Sequence, residues 1–240
     1  MTTTATTAFN LDLNDLIEEA FERCGSELRT GYDFRTARRS LNLLTIEWAN
    51  RGINLWTIEQ GQINMVTGQA TYDLPVDTID LLDQVIRTQE GTLQQTDINI
   101  NRISESTYST IPNKLTQGRP IQVWINRRSG ATNPSGIKNP QINVWPTPNA
   151  PDGQYIFVYW RLRRIQDAGD GVNTQDIPFR FLTCMVAGLA YYLSMKIPGV
   201  DPARSMALKA DYEQQFELAA AEDREKASIR FVPRNMSYTR

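Results

Sequence analysis

The sequence predicts an α+β protein: a four-helix bundle built from both chain ends, an inserted antiparallel β-sandwich or barrel-like domain, and an extended C-terminal tail. Three observations predict it. Apolar residues recur at helical spacing before residue 52 and again after residue 176. The stretch between them is rich in β-branched and aromatic residues, interrupted at short intervals by Gly, Pro, Asn and Asp. The two patterns meet at Gly52 without a flexible linker. The expected division is a Thr-rich flexible arm over 1–9, a helical bundle over 10–52 and 176–223, the β domain over 53–175, and the tail over 224–240.

The first helix is expected from Leu13 to Cys24. Leu13, Leu16, Ile17, Ala20, Phe21 and Cys24 form its apolar face, with Asp12 as N-cap and Gly25 as the stop. The second runs from Asp33, read as N-cap, to Arg51. Ala37, Leu41, Leu44 and Trp48 recur at i, i+4, i+7 and i+11, and Gly52 stands where a left-handed residue ends a helix. A strand is expected at once from Ile53.

In the β region, residues 62–66 and 70–74 flank Thr67-Gly68-Gln69 and read as a hairpin; residues 85–88 and 92–99 flank Gln89-Glu90-Gly91 and read as a second. Residues 104–110 suit a helical turn. Residues 120–127, 141–145 and 155–163 are the strongest strands, and the last is apolar on both faces, which calls for a central position. The third helix is expected from Asp176 to Lys196, with Pro178 in its first turn. The fourth runs from Pro202, capped by Asp201, to about Glu222. A helix pair cannot bury its apolar stripes alone. The economical solution packs the two N-terminal helices on the two C-terminal ones, with Leu41, Leu44, Trp48, Leu182, Met185 and Leu189 as bundle core.

Composition narrows the function. Hydrophobic residues are 40% and charged residues 22%, with a formal net charge of −2, so no global basic field draws nucleic acid. The chain contains no histidine, which removes Ser-His-Asp and Cys-His catalysis and His-containing zinc sites. Cys24 and Cys184 read as two buried thiols, too few for a zinc ribbon or a disulfide framework. The uncharged run 181–195 is shorter than the roughly 20 residues needed to span hydrocarbon. No metal, cofactor or membrane is expected.

Candidate sites are few. Glu18, Glu19 and Glu22 could serve as an acid/base cluster, but a charge run opposite an apolar stripe is usually a solvated face. Trp124, Trp145 and Trp160 with Tyr155 and Tyr159 could stack sugars, against the commoner reading of core aromatics. Arg161, Arg163 and Arg164 fit either phosphate contacts or a charge-guarded sheet edge. Gly169-Asp170-Gly171 reads as a turn, not a phosphate loop. The segment 224–240 has five basic residues, one acid and several apolar anchors. That composition suits ordering on a partner through Arg224, Ile229, Arg230, Phe231, Val232, Pro233, Arg234 and Tyr238.

Several blocks carry a family resemblance: SLNLLTIEWANRGINLW at 40–56, FLTCMVAGLAYYLSMKIPG at 181–199, and ALKADYEQQFELAAAEDREKA at 207–227 leading into SIRFVPRNM. GQATYDLP and INVWPTPNAPDGQYIFVYWR complete it in the β region. The chain resembles the head-to-tail adaptor, or connector, proteins of short-tailed (podovirus, P22-like) bacteriophages. The resemblance implies a structural virion protein made in the host cytoplasm and placed in the virion neck, and not an enzyme. It implies a ring, usually of twelve copies, that binds the portal protein through the C-terminal tail. The ring receives the tail nozzle or tubular protein and lets genomic DNA pass. The alternative is a carbohydrate- or receptor-binding tail module built on the β-region aromatics.

Overall fold

The computed structural model describes residues 11–52, 55–127 and 139–224, together with residue 5 and the stretches 132–133 and 136–137. Among these the fold is α+β. The elements in order are α1 (Leu13–Cys24), α2 (Gly31–Asn50), β1 (Ile58–Asn64), β2 (Thr71–Asp73), β3 (Thr78–Thr88), β4 (Thr96–Asn99), β5 (Asn101–Ile103) and α3 (Glu105–Ser109). There follow β6 (Gln122–Asn126), β7 (Thr132–Asn133), β8 (Gly136–Ile137), β9 (Gln141–Trp145), β10 (Tyr155–Arg163), α4 (Leu182–Ser194) and α5 (Pro202–Glu222). Two compact units result. One is helical and contains Asp15–Ser40 and 179–224; the other contains 11–14 and Leu41–Pro178.

In the helical unit, α4 is buried almost throughout, from Cys184 to Ala190 and again at Leu193 and Ser194. Its mean character leaves no polar face to hydrate, so neighbours must cover it. The α1 and α4 backbones adjoin where the Cys24 thiol donates to the Ala190 carbonyl at 3.0 Å. Burial pushes that thiol up to about 11, so it stays protonated and inert near neutrality. The end of α1 is held by the start of α5. Gly25 is left-handed (φ 79°), and Arg204 Nε donates to the Arg23 carbonyl at 2.9 Å, satisfying an acceptor at the helix end. Lys196 Nζ donates to Ser40 Oγ at 2.7 Å.

The expected four-helix bundle from both chain ends is not what forms. The stripe on α2 is divided, with Ala37 and Ser40 in the helical unit and Leu41, Leu44 and Trp48 in the other. Moreover α5, 21 residues long, buries only Leu208, Tyr212 and Ala219. The start of α2 also differs from expectation. Asp33 is not the N-cap: it lies in the helix and accepts from Thr30 N (3.1 Å), while Thr30 Oγ1 accepts from Asp33 N (3.2 Å), a reciprocal capping box. Gly52 does end the helix in a left-handed conformation (φ 81°). Ile53 lies outside the described residues. The next described element is a short 3-10 turn, Leu55–Thr57, so the strand begins only at Ile58.

The second unit contains two four-stranded sheets, ordered β1-β10-β3-β4 and β2-β9-β6-β5. The first is antiparallel; the second is mixed, because β5 and β6 run parallel. Both sheets keep open edges, so the described strands form no barrel. Phe157, Tyr159 and Ile86 from one sheet share a core with Val123, Ile125, Ile142 and Val144 from the other. The chain changes sheets at buried Ile100, between β4 and β5. As its apolar composition requires, β10 is central, with Ile156 and Val158 in a separate cluster with Val85 on its other face.

The second predicted hairpin forms, pairing Val85 with Asn99 and Thr88 with Thr96. The first does not. A turn closes at Gly68 (φ 76°), but β1 pairs with β10 and β2 with β9, so that turn joins two sheets. Gly61 faces Tyr159 across the β1/β10 ladder, and a Cβ there would fall 2.5 Å from the phenol oxygen. Gly61→Val is therefore expected to cost about 2 kcal/mol through overpacking, measured as a lowered urea midpoint.

Candidate functional site

The residues proposed for function fall into four surfaces. The first is the C-terminal tail. Helix α5 begins at Asp201, whose side chain accepts from Ala203 N at 3.0 Å, with Pro202 in the first turn. It ends at Asp223, whose carboxylate is paired with Arg180. Arg224 follows, exposed. Ile229, Arg230, Phe231, Val232, Pro233, Arg234 and Tyr238 lie outside the described residues.

The second is the outward side of the helices. Leu41, Leu44 and Trp48 are fully buried on α2, and Met185 and Leu189 on α4, while Leu182 in the first turn of α4 is partly exposed. Opposite these stripes stand exposed apolar residues that solubility alone does not call for: Tyr32, Leu43 and Ile46 on α2, Met206 and Leu218 on α5. The carboxylates of α1 do not act as one group. Glu19 pairs with Arg23 at 2.8 Å. Glu18 and Glu22 instead line a concave notch of about 280 Å³ with Glu27 and Leu28.

The third is the aromatic set of the β unit. Trp124 is partly buried and stacks on Tyr108 at 5.2 Å, and Trp145 Nε1 donates to the Asn113 carbonyl at 3.0 Å. Tyr159 is in the core between the sheets, Tyr155 packs against that core, and Trp160 packs against Val85, Ile156 and Val158. These rings are used in packing and do not make one open platform.

The fourth corrects both readings of the strand-end arginines. Arg161 and Arg163 are 12% and 11% exposed, on the central strand β10, not at an edge. Arg161 donates to Glu59 (2.8 Å) and Asp77 (2.5 Å); Arg163 donates to Glu59 (2.6 Å) and, through two nitrogens, to Asp176 (2.5 and 2.9 Å). Glu59 thus bridges both guanidinium groups. Burial raises the Asp77 carboxyl, but hydrogen bonds and charge from Arg161 outweigh it and hold the group below its ordinary 3.8. Asp176 is lowered likewise: Arg163 and the Gln166 N–H overcome its burial. The Asp176 hydrogen bonds raise Arg163 far above its usual value. The helix expected from Asp176 to Lys196 is shorter: a 3-10 turn at Phe179–Phe181 precedes α4, which runs from Leu182 to Ser194. Sequence reading missed this network because its members are far apart in the chain.

A further missed role belongs to the 169–173 turn. Leu13 N and Asn14 N donate to the Asn173 and Gly171 carbonyls at 3.0 and 3.1 Å, so the turn satisfies N–H groups at the start of α1. Among the described residues no three His, Cys, Asp or Glu side chains are grouped to hold a metal ion, and no helix is long and apolar enough to cross a membrane.

The described residues thus show exposed apolar side chains on the helices and a locked ion-pair network around Arg161 and Arg163. No curated protein matches the chain. The family described as SU10 adaptor protein matches residues 11–236, a span that takes in every element from α1 to α5. The chain belongs to the SU10 adaptor protein family, a family of phage head-to-tail adaptors.

Proposed function

We propose that this adaptor assembles with copies of itself into a ring in the virion neck, docks on the portal protein through residues 224–240, and receives the tail nozzle or tubular protein on another face. Its role is structural and not catalytic, and genomic DNA passes through the ring. The observation that carries this reading is α5. A 21-residue helix that buries three side chains and leaves Met206 and Leu218 in water has most of its surface available for other chains. A heterologous contact that closes needs complementary faces rather than an active site. The net charge of −2 suits a channel through which DNA must slide without being held.

The test is co-sedimentation of the purified chain with its portal, followed by negative-stain microscopy. The full chain is expected to form annular particles on the portal. Deletion of residues 225–240 is expected to weaken binding at least about tenfold while leaving the thermal melt unchanged. Undiminished binding of the truncated chain removes the tail-docking role, and absence of binding by the full chain removes the adaptor reading.

A further inference from the structure

Two charged pairs of the helical unit, Arg35 with Arg39 and Glu18 with Glu22, have opposite signs and equal spacing, and among the described residues neither pair meets a side chain of opposite charge. On the part of α2 within the helical unit, Tyr32, Arg35 and Arg39 follow at i, i+3 and i+7, and all three are exposed. Tyr32 is well into solvent, at 65% exposure. Arg35 Nε donates to the Gly31 carbonyl and Arg39 Nη2 to Thr36 Oγ1, each at 3.3 Å and each within the same helix. Neither guanidinium meets a carboxylate among the described residues.

On α1, Glu18 and Glu22 are exposed and likewise meet no cation among the described residues. They form the rim of the 280 Å³ notch, with partly buried Leu28 in its lining. Both pairs are four residues apart, so each places its two charges about 6 Å apart along a helix.

We infer that the notch of one copy receives the Arg35–Arg39 face of α2 from a second copy, Glu18 and Glu22 pairing with the two arginines and Tyr32 covering the apolar margin at Leu28. Each exposed ion pair is worth little alone. Their value lies in orientation. A two-fold contact of α2 on α2 sets arginine against arginine, and notch on notch sets glutamate against glutamate; both are repulsive. A contact of notch on α2 pairs unlike charges, and repetition of it as a heterologous contact gives a ring if its rotation closes, whereas the reciprocal two-fold version stops at a dimer that light scattering separates from a ring. The inference rests on the ring reading above and names the surfaces that make the ring.

Charge exchange tests it, with assembly followed by light scattering of the free chain and by microscopy on the portal. Arg35→Glu with Arg39→Glu, and separately Glu18→Arg with Glu22→Arg, are each expected to weaken self-association at least about tenfold with unchanged circular dichroism. An equimolar mixture of the two variants, and a single chain with all four substitutions, are both expected to restore it. The four-substitution chain keeps the test decisive should one double variant fold poorly. Wild-type rings that persist in either double variant overturn the inference and leave the adaptor reading standing. Loss without restoration overturns it as well. A wild-type chain that forms no ring, alone or on the portal, overturns the adaptor reading and this interface together.

Discussion

Phe157→Ala is expected to destabilise the β unit by about 4 kcal/mol. Phe157 is fully buried at the centre of β10, with Ile63 opposite it on β1 and Ile86 opposite it on β3. It also lies 5.8 Å from the Tyr159 ring. Truncation removes the transfer free energy of an aromatic ring and leaves a cavity. The neighbouring backbones are fixed by ladders on both sides, so collapse into that cavity is restricted. Urea unfolding followed by tryptophan fluorescence measures the loss, and a change below about 1 kcal/mol would mean that the core between the sheets is not where the unit derives its stability.

Asp176→Ala is the second, with an expected cost of about 3 kcal/mol. Arg163 would keep the Arg164 carbonyl at 3.1 Å and, as its one charged partner there, a share of Glu59, a carboxylate that already serves Arg161. A guanidinium this shielded loses more when its partner is removed than the pair contributes as a pair. The same network sets a pH dependence. Asp77 and Asp176 are held below 3.8 in the folded chain, so they bind protons more readily when unfolded. Their stabilisation is present above about pH 4 and is lost as pH falls through the lower folded values. Thermal melts are expected to fall below pH 4 in the wild type and less steeply in Asp176→Ala. Parallel curves for the two proteins would assign the acid sensitivity elsewhere.

What the sequence made legible was chemistry between near neighbours. Asp201-Pro202 opens α5 and Gly25 closes α1 because caps and breakers act within a turn. The apolar run of β10 announced a central strand for a similar reason, since burial of both faces is written in the strand itself. Partner choice is different. Thr67-Gly68-Gln69 gave the turn but not its destination, because β1 finds its partner in β10 and not in β2. The α2 stripe was readable, but its division between two units was not. Asp176 stood where the third helix was expected to start, yet Arg163 claims its carboxylate and the helix begins only at Leu182. Thr30-x-x-Asp33 was a local signal that could have been found, and reading Asp33 as the cap overlooked it.

The pairing of β1 with β10, which sets Ile58 against Leu162, also has a temporal consequence. Roughly 100 residues separate the partners, a topology associated with slow, late-closing folding. On the ribosome β1 therefore waits through the synthesis of the whole intervening chain before any strand can cover it. A waiting strand rich in valine and isoleucine would invite aggregation. The β1 sequence IEQGQIN, with Glu59, Gln60, Gln62 and Asn64, is polar enough to remain in water until its partner has been made. Glu59 then changes from a solubilising charge on the nascent chain to the acceptor that joins Arg161 and Arg163.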